Sequence, residues 1–194
     1  MKRAILYVHG KGGSAGEADR FRAVCPSFDV LGVDYRGELP WEAAPQIAAA
    51  YDEARRQYEH IILLANSIGA YFTMLALGDQ APDRALFVSP VLDMERLILD
   101  MMAWAGVSEQ ALREQGEIPT NFGETLSWKY LCYVREHPIA WQVPTEILYA
   151  GATIWCPVRV WSGSRRRTAQ CSPSWRAAIT GSTQRSRWPY WITG

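Results

Sequence analysis

The 194-residue chain has few cysteines, few histidines and no net charge. Its four cysteines form no Cys-x-x-Cys pair and its three histidines do not cluster with them, which argues against a disulfide framework and a structural zinc site. No apolar run is long enough to span a bilayer, and the first run, at residues 4–8, stops at His9 and Gly10 before it reaches the length of a signal-peptide core. We therefore expect a cytoplasmic protein with no membrane contact, no metal and no other cofactor.

The zero net charge conceals two segments of opposite sign. All 20 acidic residues lie in residues 1–150 with 13 of the 20 basic ones, so this part carries a net charge of −7. Residues 151–194 carry seven arginines, no lysine and no acid, together with five of the nine tryptophans. Because the two compositions differ so sharply, we expect 1–150 to form the folded body and 151–194 to be an aberrant, poorly ordered basic tail.

Short apolar runs alternate with segments of helical periodicity in the first 150 residues. The runs are residues 4–8, 30–33, 61–65, 85–88 and 146–149. Continuous apolar runs of this length are typical of strands buried on both faces. Between them, apolar residues recur at helical spacing, as at Ile47, Tyr51 and Ala54. This alternation predicts an α/β fold with a doubly wound, mostly parallel sheet.

A serine follows the third run, where a predicted strand gives way to a predicted helix. The sequence there is Ala65-Asn66-Ser67-Ile68-Gly69. A tight turn from strand to helix strains the backbone and admits only small residues two positions either side of the serine, as this sequence has. The pattern predicts that Ser67 is a nucleophile above the N-terminus of a helix, where N–H groups favour negative charge. The alternative is a serine that only caps the helix.

The first run ends in a glycine-rich loop, His9-Gly10-Lys11-Gly12-Gly13. Because ligands bind at the carboxyl ends of parallel strands, we expect this loop and Ser67 to face one crevice. The backbone N–H of Lys11, or of Gly12, is expected to form an oxyanion hole with that of Ile68. His9, Gly10, Gly12 and Gly13 would then support the loop. A phosphate-binding turn is the alternative, but neither Gly-x-Gly-x-x-Gly nor a P-loop lysine followed by Ser or Thr is present.

These motifs resemble those of small bacterial α/β-hydrolases, the compact kind whose first strand ends in His-Gly-x-Gly-Gly. The resemblance covers residues 1–150 and is close at residues 65–72, 89–94 and 120–128. It implies a serine hydrolase that cleaves a small-molecule ester or thioester, with Ser67 as the nucleophile and with no nucleic-acid partner. It also implies an acid just after the strand at 147–149 and a histidine base in a late His-Trp-Phe-His-like segment.

The base is not evident in the sequence. Attack by a serine needs a histidine to take its proton and a carboxylate to orient that histidine. His9 belongs to the glycine-rich loop, and His60 lies about 20 Å from Ser67 along the strand. His137, in a predicted loop, is a candidate base. Asp93 is either the orienting carboxylate or the cap of a helix over residues 94–105.

We hypothesise that residues 151–194 are translated in a shifted reading frame. Read from the third base of each codon, with free choice of synonymous codons, residues 178–194 can spell NHWFHTEEQMAVLDHW, which contains the expected histidine segment. Residues 152–156 can spell DNLV in the same frame, directly where the acid is expected. Four letters follow from the residues whatever synonymous codons are used. They are A, L and D in the first string and V in the second.

If the frame is shifted, both missing triad residues lie in it, and this chain is expected to be impaired as an enzyme. Two other functions are open. The chain is either a non-catalytic binding protein on the same scaffold, or a nucleic-acid-binding protein that uses the arginines and tryptophans of the tail.

The alternation of strand and helix is interrupted between residues 94 and 141. We expect this insertion to be a small helical cap over the crevice. Its aromatic side chains either line an apolar acyl pocket or pack in the core. They are Trp104, Phe122, Trp128, Tyr130 and Tyr133.

Overall fold

The computed structural model describes residues 2–78, 80 and 82–149, and the backbone of a strand at 156–158. The strands are β1 (Arg3–Val8), β2 (Asp29–Gly32), β3 (His60–Asn66), β4 (Arg84–Val88), β5 (Glu117–Pro119), β6 (Thr125–Ser127), β7 (Thr145–Leu148) and β8 (Cys156–Val158). A 3-10 helix (Ala15–Ala18) precedes the first α-helix, and the α-helices are α1 (Asp19–Arg22), α2 (Pro40–Gln57), α3 (Ile68–Leu77), α4 (Met94–Ala105), α5 (Glu109–Gln115) and α6 (Trp128–Glu136).

The main sheet has the strand order β2-β1-β3-β4-β7-β8. Its first five strands are parallel, and β8 pairs antiparallel with β7. The chain enters the sheet at β1, next to the edge strand β2, and then crosses to the other side of β1 for β3, so the winding reverses between β1 and β3. The α/β class and the doubly wound, mostly parallel sheet are therefore confirmed. The connections leave β1 and β3 in opposite directions, and in open α/β sheets ligands bind outside the carboxyl ends of strands at such a point.

Side chains of the parallel strands are buried on both faces. On β1, Leu6 and Val8 belong to a large core that also contains apolar residues of α2, α3, α4 and α6. Ile5 and Tyr7 point the other way, into a smaller core with Ala18 and other residues of the first helical segment. Burial on both faces explains why these strands have continuous apolar runs.

The insertion between β4 and β7 contains α4, α5 and α6 and also a feature that the sequence did not predict. β5 and β6 pair as an antiparallel hairpin between α5 and α6. Arg135 of α6 joins the helices: its Nε lies 2.7 Å from Glu95 Oε1, and its two terminal nitrogens each lie 2.8 Å from a carboxylate oxygen of Glu109. The insertion therefore contains three helices and a two-stranded hairpin.

The basic tail predicted over residues 151–194, its poor order and its shifted frame all lie outside the described residues, apart from β8. That strand was not predicted from the sequence, and it covers the outer edge of β7. Among the helices of the described ranges, none is both long and apolar enough to cross a bilayer.

Candidate active site

Ser67 occupies a strained turn between β3 and α3. Its φ of 52° and ψ of −124° lie in a region that residues with a β-carbon rarely adopt. Its N–H donates to the Val88 carbonyl at the end of β4 (2.9 Å), and its carbonyl accepts from the N–H groups of Ala70 and Val91 (3.1 Å each). Bonds to α3 and to the neighbouring strand and its following loop therefore hold the strained backbone in place.

The Ser67 hydroxyl is not used to cap α3. Ser67 stands at the N-cap position, but its side chain makes no capping hydrogen bond. The N-cap side chains of α4, α5 and α6 do: Asp93, Ser108 and Ser127 each accept from a backbone N–H three residues ahead. The capping alternative for Ser67 therefore lacks the contact that defines a cap.

The residues two positions either side of Ser67 are tightly enclosed. Ala65 is fully buried in β3, between β1 and β4. A β-carbon on Gly69 would lie 2.2 Å from the His9 carbonyl oxygen, far inside van der Waals contact. The first turn of α3 thus packs directly on the end of β1. We call residues 65–69 the elbow.

The glycine-rich loop, residues 9–13, packs against the elbow. A β-carbon on Gly10 would lie 3.1 Å from Ser67 Cβ, so only glycine fits here without displacing a neighbour. The Gly10 carbonyl accepts from the Gly13 N–H (3.1 Å), and Gly12 has a φ of +70°. These values describe a tight turn with Lys11 and Gly12 at its tip. The structure thus brings Lys11 and Ser67 to the same edge of the sheet.

His9 anchors the base of this loop. Its ring is buried and stacks on Tyr35, with ring centroids 4.2 Å apart. The Tyr35 hydroxyl donates to the His9 carbonyl (2.8 Å), and His9 Nδ1 donates to the Gly10 carbonyl (2.9 Å). Burial raises the pKa of Tyr35 to about 12, so this hydroxyl remains a donor at neutral pH. Tyr35 is recognisable in the sequence only by its place soon after a strand.

The Lys11 side chain points to the insertion. Its Nζ lies 2.8 Å and 3.0 Å from the two carboxylate oxygens of Glu124, in the turn between β5 and β6, and 3.5 Å from Glu38. Burial disfavours the charge of this ammonium group, but the hydrogen bond with Glu124 and the charges of Glu124 and Glu38 outweigh burial, so the pKa of Lys11 is raised.

The other two histidines lie in structural positions. His60 begins β3, at the opposite end of the strand from Ser67, and its Nδ1 lies 3.5 Å from an Asp83 oxygen. His137 lies in the predicted loop, directly after α6 as its C-cap: its Nδ1 donates to the Tyr133 carbonyl (2.8 Å) and its ring stacks on Tyr133. Within the described residues, no histidine hydrogen-bonds Ser67.

Asp93 caps α4, as one of the two alternatives predicted. Its Oδ1 accepts from the Arg96 N–H at 2.9 Å.

A second strained serine, which no sequence pattern indicated, follows β4. Ser89 follows β4 with a φ of 43°, and its N–H donates to the Leu148 carbonyl (2.6 Å). Across the described residues, no group of three His, Cys, Asp or Glu side chains is arranged to hold a metal ion.

The aromatic residues of the insertion divide into two groups. Trp104 and Phe122 are 39% and 42% exposed and contact each other edge to face at the surface. Tyr130 and Tyr133 pack on Trp41 of α2, with ring centroids 6.0 Å and 5.1 Å away. Trp128 packs against the large core, as Tyr130 also does. Packing inside the protein, one of the two predicted alternatives, therefore describes the second group and Trp128.

No family model and no curated protein matches the chain. Solved structures match parts of it. A sugar hydrolase from Lactococcus lactis is 17% identical over 47% of this chain and 45% of its own, with a TM-score of 0.38. Esterase B from Lactobacillus rhamnosis is 16% identical over 76% and 54%, with a TM-score of 0.45. An extracellular α/β-hydrolase from a Paenibacillus species is 13% identical over 77% of each chain, with a TM-score of 0.43. The chain spans about half the length of the first solved structures it matches.

Proposed function

We propose that this chain is built on the α/β-hydrolase scaffold and that Ser67 is the nucleophile of a serine hydrolase acting on a small carboxylic ester or thioester. The backbone of Ser67 is the observation that supports this most. A non-glycine residue in such a conformation costs on the order of 1–3 kcal/mol and persists at sites where a side chain must be aimed. The hydroxyl that the strain presents makes no capping bond.

Two backbone N–H groups support the proposed oxyanion hole. Ile68 is the first residue of α3, so its N–H has no carbonyl one turn earlier to bond. Lys11 stands at the tip of a turn that packs on Ser67 through Gly10. In the proposed reaction, Ser67 Oγ bonds to the acyl carbon and the carbonyl electrons move to its oxygen, which these two groups stabilise. Loss of one such donor typically costs about 3–4 kcal/mol of transition-state stabilisation.

The second half of the proposal concerns the proton of Ser67. When Oγ attacks, a base must take this proton and later give it to the departing alcohol or thiol; water then cleaves the acyl-enzyme by the same route. His9 and His137 have their Nδ1 atoms bonded to backbone carbonyls, and His60 lies at the far end of β3. We therefore propose that the base and its orienting acid belong to the original frame of residues 151–194, and that this chain is impaired.

Covalent labelling with a fluorophosphonate probe tests this proposal. This chain and a version with the reading frame restored after residue 149 are each labelled, and the modified peptide is identified by mass spectrometry. We expect fast labelling of Ser67 in the restored chain, slow labelling in this one, and none in Ser67→Ala. Ser89→Ala is the matched control, because it removes the other strained serine and is expected to leave labelling intact.

A restored chain that is folded but not labelled at Ser67 would overturn the hydrolase proposal and favour a non-catalytic binding protein. Sequencing the gene between the codons for Tyr149 and Gly151 tests the shifted frame separately. An uninterrupted frame that encodes this tail, with a matching C-terminal peptide from cells, contradicts it.

A further inference from the structure

Lys11 is the only residue with a side chain among residues 10–13 of the glycine-rich loop. Glycine allows more backbone conformations than any other residue and offers no side chain by which the rest of a protein can hold it. Gly12, at the tip beside Lys11, has nothing within 4 Å of the place where its β-carbon would stand. Apart from the hydrogen bond between Gly13 and Gly10 that closes the turn, the Lys11 side chain is therefore the contact by which the tip can be held.

Glu124 is the principal partner of Lys11. Both of its carboxylate oxygens lie within 3.0 Å of Lys11 Nζ, and its side chain is only 25% exposed. Glu38 is a weaker partner, because its one close oxygen lies 3.5 Å away and its side chain is 74% exposed. A short, half-buried, two-oxygen contact is screened by water less than an exposed one.

Glu124 is itself held firmly by the hairpin. The Thr120 hydroxyl donates to the Glu124 carbonyl (2.7 Å) and accepts from its N–H (3.2 Å), while the Thr120 N–H also donates to that carbonyl (2.8 Å). Gly123 supplies the φ of +88° that closes this turn. The Trp128 N–H donates to the Gly116 carbonyl (2.8 Å) and ties the two ends of the hairpin. The carboxylate thus projects from a fixed backbone.

We infer that Glu124 is a positioning residue of the oxyanion hole: through its ion pair with Lys11 it fixes the tip of the glycine-rich loop and so the direction of the Lys11 N–H. The inference rests on the proposed function, since the value of a fixed Lys11 N–H lies in the oxyanion it would bind. The insertion thereby contributes to the reaction through the backbone of another segment, without touching the substrate.

Amide hydrogen exchange of the full chain tests the ion pair without relying on enzymatic activity. We expect Glu124→Gln to speed exchange of the Gly13 amide, whose hydrogen bond to the Gly10 carbonyl closes the turn, about fivefold and to leave the melting temperature unchanged. In 1 M NaCl, the amide exchange rates of the intact chain should approach those of the variant. The same exchange rates in both proteins at low salt would overturn the inference.

Two further variants separate a specific ion pair from a general effect of charge. Glu117→Gln removes an exposed carboxylate from the same hairpin and is expected to leave exchange of the loop amides unchanged. The double variant Lys11→Glu, Glu124→Lys reverses the ion pair. We expect it to recover at least half of the protection against amide exchange that Glu124→Gln loses. An equal effect of Glu117→Gln, or no rescue by the reversed pair, counts against the inference.

The link to the reaction is measured by the rate at which a fluorophosphonate captures Ser67 in the full chain. We expect Glu124→Gln to lower the limiting rate of capture about fivefold and to leave the probe concentration for the half-maximal rate unchanged. The reversed ion pair should recover the limiting rate. If Ser67 is captured but neither capture nor exchange responds to Glu124→Gln, the inference fails and the proposed function stands. If exchange responds but Ser67 is never captured, even with the restored frame, the proposed function fails and the ion pair stands.

Discussion

The elbow at residues 65–69 and the glycine-rich loop at residues 9–13 meet at the same edge of the sheet, but they are held by different kinds of contact. The elbow is fixed by backbone hydrogen bonds from Ser67 to the end of β4, to the loop that follows it and to α3, and by the close packing of Gly69 on β1. The loop has its base fixed by Tyr35 and its tip tied by the ion pair of Lys11.

This difference matters because the two segments would serve one reaction. A strained nucleophile has to be held by contacts that solvent does not weaken, and buried backbone hydrogen bonds meet that need. An oxyanion donor on a glycine-rich turn has to approach the substrate closely, so the residues around it are glycines. The turn is then held through the long side chain of Lys11. We therefore expect the elbow to respond to steric change and the tip of the loop to backbone freedom and salt.

The largest expected effect is that of Gly69→Ala. In most helices this change is stabilising, but here the new methyl group would lie 2.2 Å from the His9 carbonyl oxygen. We expect the free energy of unfolding to fall by about 3 kcal/mol, measured by urea denaturation. Gly16→Ala is the matched control, because its β-carbon would meet only Ser14 Oγ at 3.6 Å, and a change within about 0.5 kcal/mol is expected. A stable Gly69→Ala protein would show that the elbow is looser than its packing implies.

A smaller effect is expected at the base of the loop. Tyr35→Phe removes the donor to the buried His9 carbonyl, which should lower the free energy of unfolding by about 2 kcal/mol. Burial raises the pKa of Tyr35 to about 12 from its ordinary value of 10.0, so the folded state keeps its proton longer than the unfolded state. The stability that this tyrosine contributes is therefore complete below pH 10 and is lost as the pH rises through 12.

Urea denaturation at pH 9 and pH 11 measures both parts of the Tyr35 prediction. The difference in stability between the intact chain and Tyr35→Phe should shrink at the higher pH. An equal difference at both values would indicate that the hydroxyl contributes through shape alone.

The smallest effect is expected at the tip of the loop. Gly12→Ala meets no neighbouring atom, so its cost comes only from a φ of +70° and should be about 1 kcal/mol. Gly12→Asn should cost less, because asparagine tolerates left-handed backbone better than alanine. Equal losses for the two variants in a thermal unfolding experiment would point to a contact with the new side chain rather than to the backbone.

The parallel strands could be predicted from the sequence because burial on both faces leaves a continuous apolar run. Each predicted run ends within one residue of the observed strand. The elbow could be predicted because the requirement for small residues beside Ser67 is local and therefore visible in five consecutive letters. Whether Ser67 acts as a nucleophile stays a prediction.

Other features depend on contacts that no local pattern records. β5 and β6 have three residues each, too few for an alternating pattern, and Pro119 argues against a strand. Lys11 and Glu124 are separated by 113 residues, and each taken alone resembles an ordinary charged surface residue. Their meeting follows only from the way the insertion folds back over the sheet.

The position of β1 between β2 and β3 affects how the chain folds while it is being made. Arg3 pairs with His60, which is synthesised 57 residues later, whereas the pairing with β2 needs only the residues up to Gly32. At roughly 5–20 residues per second, the second edge of β1 waits roughly 3–11 s for its partner strand. Until β3 is made, that edge of β1 has no partner strand, and an unpaired apolar edge is a template for pairing with another chain.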